Sequence, residues 1–137
     1  MDDLIGAMSM STHGMKAQTN RIRVISENVA NADSYANAPG EEPYQRKIVT
    51  FKNMLDREND MRIVEVDEVK KDTSEFGRKY MPGHPGADAD GYVTTPNVKT
   101  MIEMMDMREA QRSYEANLNV MDMSRNMANQ TIGLLDQ

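Results

Sequence analysis

Apolar positions recur every seven residues at both ends of this chain and not in its middle. Near the N-terminus, Leu4 and Ile25 share one heptad track with the polar Ser11 and Gln18, while Met8, Met15, Ile22 and Val29 make up the other. Near the C-terminus, Met107, Tyr114, Met121, Ala128 and Leu135 repeat at the same interval. Met104, Leu118 and Ile132 lie on a companion track that Gln111 and Arg125 interrupt. Stripes sustained at this period specify helices that bury a narrow seam against other helices. Neither stripe has a helical neighbour close in sequence, so the pattern predicts long-range pairing of two terminal helices. Polar residues on such a seam cost stability and can fix register or partner, or can simply face solvent.

The first helix is predicted from Asp2 or Asp3, acidic residues suited to the positive end of a helix dipole, to Asn31. Gly6 and Gly14 mark either local fraying or a close helix approach. From Asn31 to Pro43 the composition is turn-forming, and the period then switches. Tyr44 to Phe51 reads as a strand, Met61 to Lys71 as a second, and Phe76 to Met81 as a short third. Pro82, Gly83, Pro85 and Gly86 break any regular element, and Asp88, Asp90 and Gly91 turn the chain into Tyr92 and Val93. Thr95 as a cap and Pro96 as first residue predict a last helix of some 40 residues, about 60 Å long. The fold expected is mainly α with a small β insert, divided into residues 1–34, 35–95 and 96–137.

Leu, Ile, Val and Phe together number 23 of 137 residues, few for a self-sufficient core. Fourteen methionines offset part of that deficit, and seven of them fall between Met101 and Met127. Flexible thioethers there fill core gaps or adapt to neighbouring surfaces, and the low aliphatic count favours the second reading. The chain thus looks only partly satisfied alone, with termini that order on incorporation into something larger. A net charge of −6 without a basic run argues against nucleic acid. No apolar run is long enough for a membrane span or a cleaved secretory signal, so an ordinary secretory route is not written here. The lack of cysteine removes disulfides, thiolate metal sites and thiol nucleophiles.

Candidate chemistry is sparse. His13 and His84 are the only imidazoles, and nothing in the sequence places either beside a nucleophile or paired carboxylates. The Gly86 to Gly91 stretch resembles a calcium loop but has Gly86 at the first ligand position and Asn97 at the last, so it reads as a turn. Glu103, Asp106, Glu109 and Glu115 are expected on the solvated face of the last helix, or paired with Arg108 and Arg112. No catalytic residue, cofactor site or metal site is expected.

Two segments carry a resemblance. The first runs Ser11-Thr12-His13-Gly14-Met15-Lys16-Ala17-Gln18, then Arg21, then Ile25-Ser26-Glu27-Asn28-Val29-Ala30-Asn31-Ala32-Asp33-Ser34. The second comprises Gly91-Tyr92-Val93, Pro96-Asn97-Val98, Glu103-Met104 and Arg112-Ser113-Tyr114-Glu115-Ala116-Asn117. In this order, over nearly the whole chain, they resemble the signatures of the bacterial flagellar axial proteins, the rod and hook family. The short insert with Pro82-Gly83-His84-Pro85 is similar to the proximal rod subunits rather than their longer relatives.

The resemblance implies a structural subunit of the rod that crosses the periplasm between membrane ring and hook, transmitting torque. It implies terminal helices paired as an α-helical coiled coil lining the inner tube, a β-rich segment facing outward, and delivery by the flagellar type III export apparatus. The neighbours it implies are the rod proteins FlgB, FlgF and FlgG, the ring-to-rod junction protein FliE, and copies of the chain itself. Early-exported subunits of this kind carry a Phe-x-x-x-hydrophobic element read by the export gate, which Phe51 and Leu55 match, though Phe51 equally suits a core anchor of the insert. Two rival classes stay open at this point: an adaptor that uses the same heptads to bind cytosolic helices, and a wall-acting enzyme.

Overall fold

The architecture comes from a computed structural model, which describes residues 2–56 and 61–135. In chain order, helix α1 spans Asp2–Ala30, strands β1 Lys47–Asp56, β2 Met61–Lys71, β3 Gly77–Tyr80 and β4 Tyr92–Thr95 follow, and helix α2 spans Thr100–Leu135. The strands form two separate antiparallel ribbons, β1 with β2 and β3 with β4. Mainly α with a small β insert is therefore what the chain adopts.

The two helices run in opposite directions. Asn28 meets Glu103, Gly14 meets Asn117, and Thr12 meets Met121, so residue numbers fall along one helix as they rise along the other. Helix α1 is the middle layer: it packs on α2 and on the β1–β2 ribbon, whereas α2 touches no strand among the described residues. On α1 the ribbon meets Gly6, beside Met61, and His13, beside Glu65. These lie about a quarter-turn from the line of Gly14, Arg21 and Asn28 that faces α2. The buried centre is small, with Ala17, Val24 and Ile25 from α1, Ile63 from β2 and Ala110 from α2.

Two element starts differ from the sequence expectation. Strand β1 begins at Lys47 rather than Tyr44, and it continues past Phe51 to Asp56, with a register shift between Thr50 and Phe51. The Arg46 carbonyl still accepts the Asp72 N–H at 2.7 Å, but its own N–H goes to Asn97 Oδ1 and the Tyr44 hydroxyl to Asn28, so the regular ladder starts at Lys47. Helix α2 begins at Thr100 rather than Pro96; the backbone N–H groups of Ile102 and Glu103 donate to the carbonyl of Lys99. The Thr95–Pro96 signal is overridden because Thr95 pairs with Gly77 and Asn97 is engaged as a bracket between strands. The smaller ribbon closes on Val93, which is fully buried, with the Tyr80 and Tyr92 rings edge-to-face at 5.3 Å.

Candidate functional site

Where the C-terminal end of α1 meets the first turn of α2, the chain builds a polar junction rather than an apolar one. Asn28 is 1% exposed and fully hydrogen-bonded. Its Nδ2 donates to the Lys47 carbonyl at 2.8 Å and to Glu103 Oε2 at 3.0 Å, while its Oδ1 accepts from the Tyr44 hydroxyl and the Lys47 backbone N–H, both at 2.9 Å. Glu103, also 1% exposed, accepts from Arg46 Nε at 2.6 Å. Arg46 reaches on to Asp72 Oδ2 at 3.2 Å. Asn97 brackets the far side: its Oδ1 accepts from the Arg46 backbone N–H at 2.7 Å, and its Nδ2 donates to the Asp72 and Ser74 carbonyls at 3.1 Å. One junction thus joins α1, the start of β1, the end of β2 and the start of α2.

Its electrostatics are balanced pairwise. Burial disfavours the Arg46 charge, but the Glu103 and Asp72 carboxylates outweigh it and hold the guanidinium above its ordinary value. Asp72 is lowered, first by the backbone N–H of Ser74 and then by Arg46. At the rim, Glu27 and Lys47 pair at 2.8 Å, which lowers the carboxyl and raises the amine. A buried charge left without its partner costs several kcal/mol, so the junction favours one arrangement of helices and ribbon over others. Glu103 corrects the sequence reading, which put it on a solvated face with Arg108 or Arg112. The missed signal was Arg46, one of several cations in the insert, which no local pattern links to Glu103.

Along the helix pair, Ser11 and Ile25 are buried and Leu4 and Gln18 half-buried; Gln18 Oε1 is enclosed without a hydrogen-bond partner among the described residues. On α2, Met107, Tyr114, Met121 and Ala128 are half-buried, and the side chain of Leu135 lies outside the described residues. The track beside them is not apolar. Glu103, Ala110 and Ser124 are buried and Asn117 half-buried, whereas Met104, Leu118 and Ile132 are 51%, 38% and 47% exposed. On α1 the equivalent track is Ala7, Gly14, Arg21 and Asn28, leaving Met8, Met15, Ile22 and Val29 half-buried to one side. Small and polar residues let the helices approach closely: a Cβ on Gly14 would lie 2.8 Å from Asn117 Nδ2.

The paired charges of the junction tie helices and ribbon together. The family described as "Flagellar basal body rod FlgEFG protein C-terminal" matches residues 89–134. The "Flagellar basal-body rod protein FlgC" of Agrobacterium fabrum is 45% identical, covering 98% of this chain and 97% of its own. The protein of the same description in Salmonella typhimurium is 34% identical, over 96% and 97% of the two chains. That of Bacillus subtilis is 35% identical, over 88% and 91%. The chain belongs to the FlgC family. It is a structural subunit of the flagellar basal-body rod and not an enzyme.

The two segments that carried the sequence resemblance, far apart in the chain, meet at the junction, since Asn28 comes from the first and Asn97 and Glu103 from the second. The turn before β4 is closed by residues of the insert itself. The Asp88 carboxylate closes its own turn, accepting from the backbone N–H groups of Asp90 and Tyr92 and from Arg78 Nη2 at 2.6 Å, and Gly91 adopts a φ of 83° there. Those donors hold Asp88 below the usual carboxylate range, the Tyr92 N–H contributing most. His84 is half-buried; its Nδ1 accepts from the Gly86 N–H and its ring packs edge-on against Tyr35. His13 is half-buried too, 3.9 Å from Glu65. Phe51 and Leu55 are 38% and 53% exposed, so Phe51 is no core anchor. They are two apart from Asn53 on one face of β1, opposite Val66 and Arg62.

Proposed function

We propose that this rod subunit occupies the proximal segment of the rod, between membrane ring and hook in the periplasm, and helps carry torque outward. The α1–α2 pair acts there as an α-helical coiled coil on the inner wall, residues 35–95 face outward, and residues 1–34 and 96–137 form the axial core. The seam residues Leu4, Met8, Met15, Ile22, Ile25, Val29, Met104, Met107, Tyr114, Leu118, Met121, Ala128, Ile132 and Leu135 divide between holding this pair and meeting neighbours. Those neighbours are copies of the chain, FlgB, FlgF and FlgG, and FliE at the ring junction. Delivery is by the flagellar type III apparatus, with Phe51 and Leu55 on the exposed ribbon face as the element its gate reads.

The observation that carries this reading is the bare outer side of α2. Met101, Met105 and Met123 are 73%, 65% and 64% exposed on a helix covered along one side only. An apolar surface of that extent on a family of rod subunits calls for neighbouring helices. A tagged chain expressed in cells lacking the native copy tests it. Recovery in purified basal bodies with restored swimming supports the reading, and a chain that restores swimming yet stays in the cytosol defeats it. Replacing Phe51 and Leu55 by Ser and finding normal export would remove the gate role alone.

A further inference from the structure

The outer face of the β3–β4 ribbon presents two tyrosines whose rings stay largely in water. Tyr80 pairs with Tyr92 and Arg78 with Thr94, so these four side chains share one face, while Lys79 and the fully buried Val93 share the other. Tyr80 is 62% exposed and Tyr92 41%. Both rings are nonetheless held in place. They meet edge-to-face at 5.3 Å, the Arg78 guanidinium sits 5.0 Å from the Tyr92 ring centre, and Arg78 Nη2 donates to Asp88 Oδ2 at 2.6 Å. Gly91 lies against Tyr80, since a Cβ there would come within 2.9 Å of Tyr80 Cε2. The hydroxyls of Tyr35 and Tyr44 donate to Asp33 and Asn28, but those of Tyr80 and Tyr92 have no partner among the described residues.

We infer that this face binds a neutral pyranose glycan, with a sugar ring against the tyrosines and its hydroxyls on the flanking polar groups. A tyrosine face is electron-rich and attracts the C–H hydrogens that line one side of a pyranose. The two free hydroxyls, the Arg78 donors, the Asp88 acceptor and the Thr94 hydroxyl offer sugar hydroxyls partners of both kinds at the edge of the rings. Arg78 and Asp88 cancel in charge, and Asp90 beside them is anionic, so nothing there draws a polyanion such as nucleic acid. Four side chains also fall well short of the about 20–30 residues a side of a stable protein complex, and they suit one sugar unit repeated along a polymer. Rings already fixed in place lose little freedom on binding. A basal-body rod spans the periplasm, where the wall glycan is the polymer with this chemistry. Access to it in the assembled rod rests on the outward placement of residues 35–95 proposed above.

The test titrates the full-length chain with a hexamer of β-linked N-acetylglucosamine, which carries the wall's sugar chemistry without its peptides, and follows binding by calorimetry and NMR. Saturable binding is expected, weakened about tenfold by Tyr80→Ala or Tyr92→Ala and far less by Tyr80→Phe, which keeps the ring. In the unsubstituted chain the ring signals of Tyr80 and Tyr92 should shift on titration while those of Tyr44 and Tyr114 stay, which locates the site without any substitution. No saturable binding overturns the inference, as do shifts confined to other tyrosines or binding that Tyr80→Ala leaves unchanged. Tighter binding of a carboxylated sugar hexamer overturns it as well. Basal bodies containing the chain are then mixed with purified wall sacs, and sedimentation with the sacs should fall in the Tyr80→Ala variant. A free chain that binds the hexamer in basal bodies that ignore the sacs upholds the site and overturns the outward placement of the insert.

Discussion

Arg46 Nε donates to Glu103 Oε1 at 2.6 Å, and Glu103 is 1% exposed, so a residue of the insert neutralises a carboxylate enclosed at the start of α2. Removing one partner of an enclosed pair strands the other. Glu103→Ala is expected to lower unfolding free energy by about 3 kcal/mol, and Glu103→Gln by less, since an amide still accepts from Arg46. Replacing both, as Arg46→Met with Glu103→Leu, should recover most of the loss. Urea midpoints of the four proteins measure this; additive losses in the double variant would contradict a paired role.

Asn28 is the other fully buried member, with four hydrogen bonds. Asn28→Asp keeps the acceptor for Tyr44 and Lys47 but sets a second carboxylate against Glu103 Oε2. Because both anions lack water there, Asn28→Asp should destabilise more than Asn28→Ala, an inversion of the usual order for an isosteric change. Thermal melts of the two variants at neutral pH compare them.

Two helical glycines should respond oppositely to alanine. At Gly133 a Cβ meets nothing within 4 Å, so Gly133→Ala is expected to stabilise by about 1 kcal/mol. At Gly14 the new Cβ would crowd Asn117, whose Nδ2 is already committed to the Ser113 carbonyl at 3.0 Å. Gly14→Ala should gain nothing or lose stability, and adding Asn117→Ala should release the gain. Chemical denaturation of each variant resolves the sign.

Acid should weaken the fold. Asp72, Asp88 and Glu27 titrate below their ordinary values, the first two chiefly through backbone N–H donors and the third through Lys47. A carboxyl lowered on folding contributes stability that is fully present above its unfolded value, about 4, and is lost as pH falls through the folded value. Lys47 is raised, so its contribution is present below its unfolded value, about 10.4, and is lost as pH climbs through the folded one. The urea midpoint should therefore be flat from about pH 5 to about pH 9 and drop below about pH 4. Asp88→Asn should shrink the acid drop without moving the alkaline edge.

Much of this was legible in the sequence, and the gaps have a common cause. Helix α1, strand β2 and the Asp88 turn follow from local pattern, because each is dictated by its own spacing and turn residues. The companion tracks were not legible: period alone ranks Met104 and Leu118 above Asn117 and Ser124, since it scores hydrophobicity and ignores how closely two backbones approach. Glu103 illustrates the same gap from the polar side, as its burial depends on Arg46, 57 residues away. The early start expected for α2 fails likewise, because Asn97 answers to Arg46 and Asp72 rather than to the helix that follows.

The most direct measurement is electron cryomicroscopy of basal bodies from cells in which this chain is the sole copy. The account predicts rod density next to the membrane ring that fits the antiparallel α1–α2 pair, with the exposed side of α2 at Met101, Met105 and Met123 covered by neighbouring helices. Intact rods in which no density accommodates this chain would contradict it.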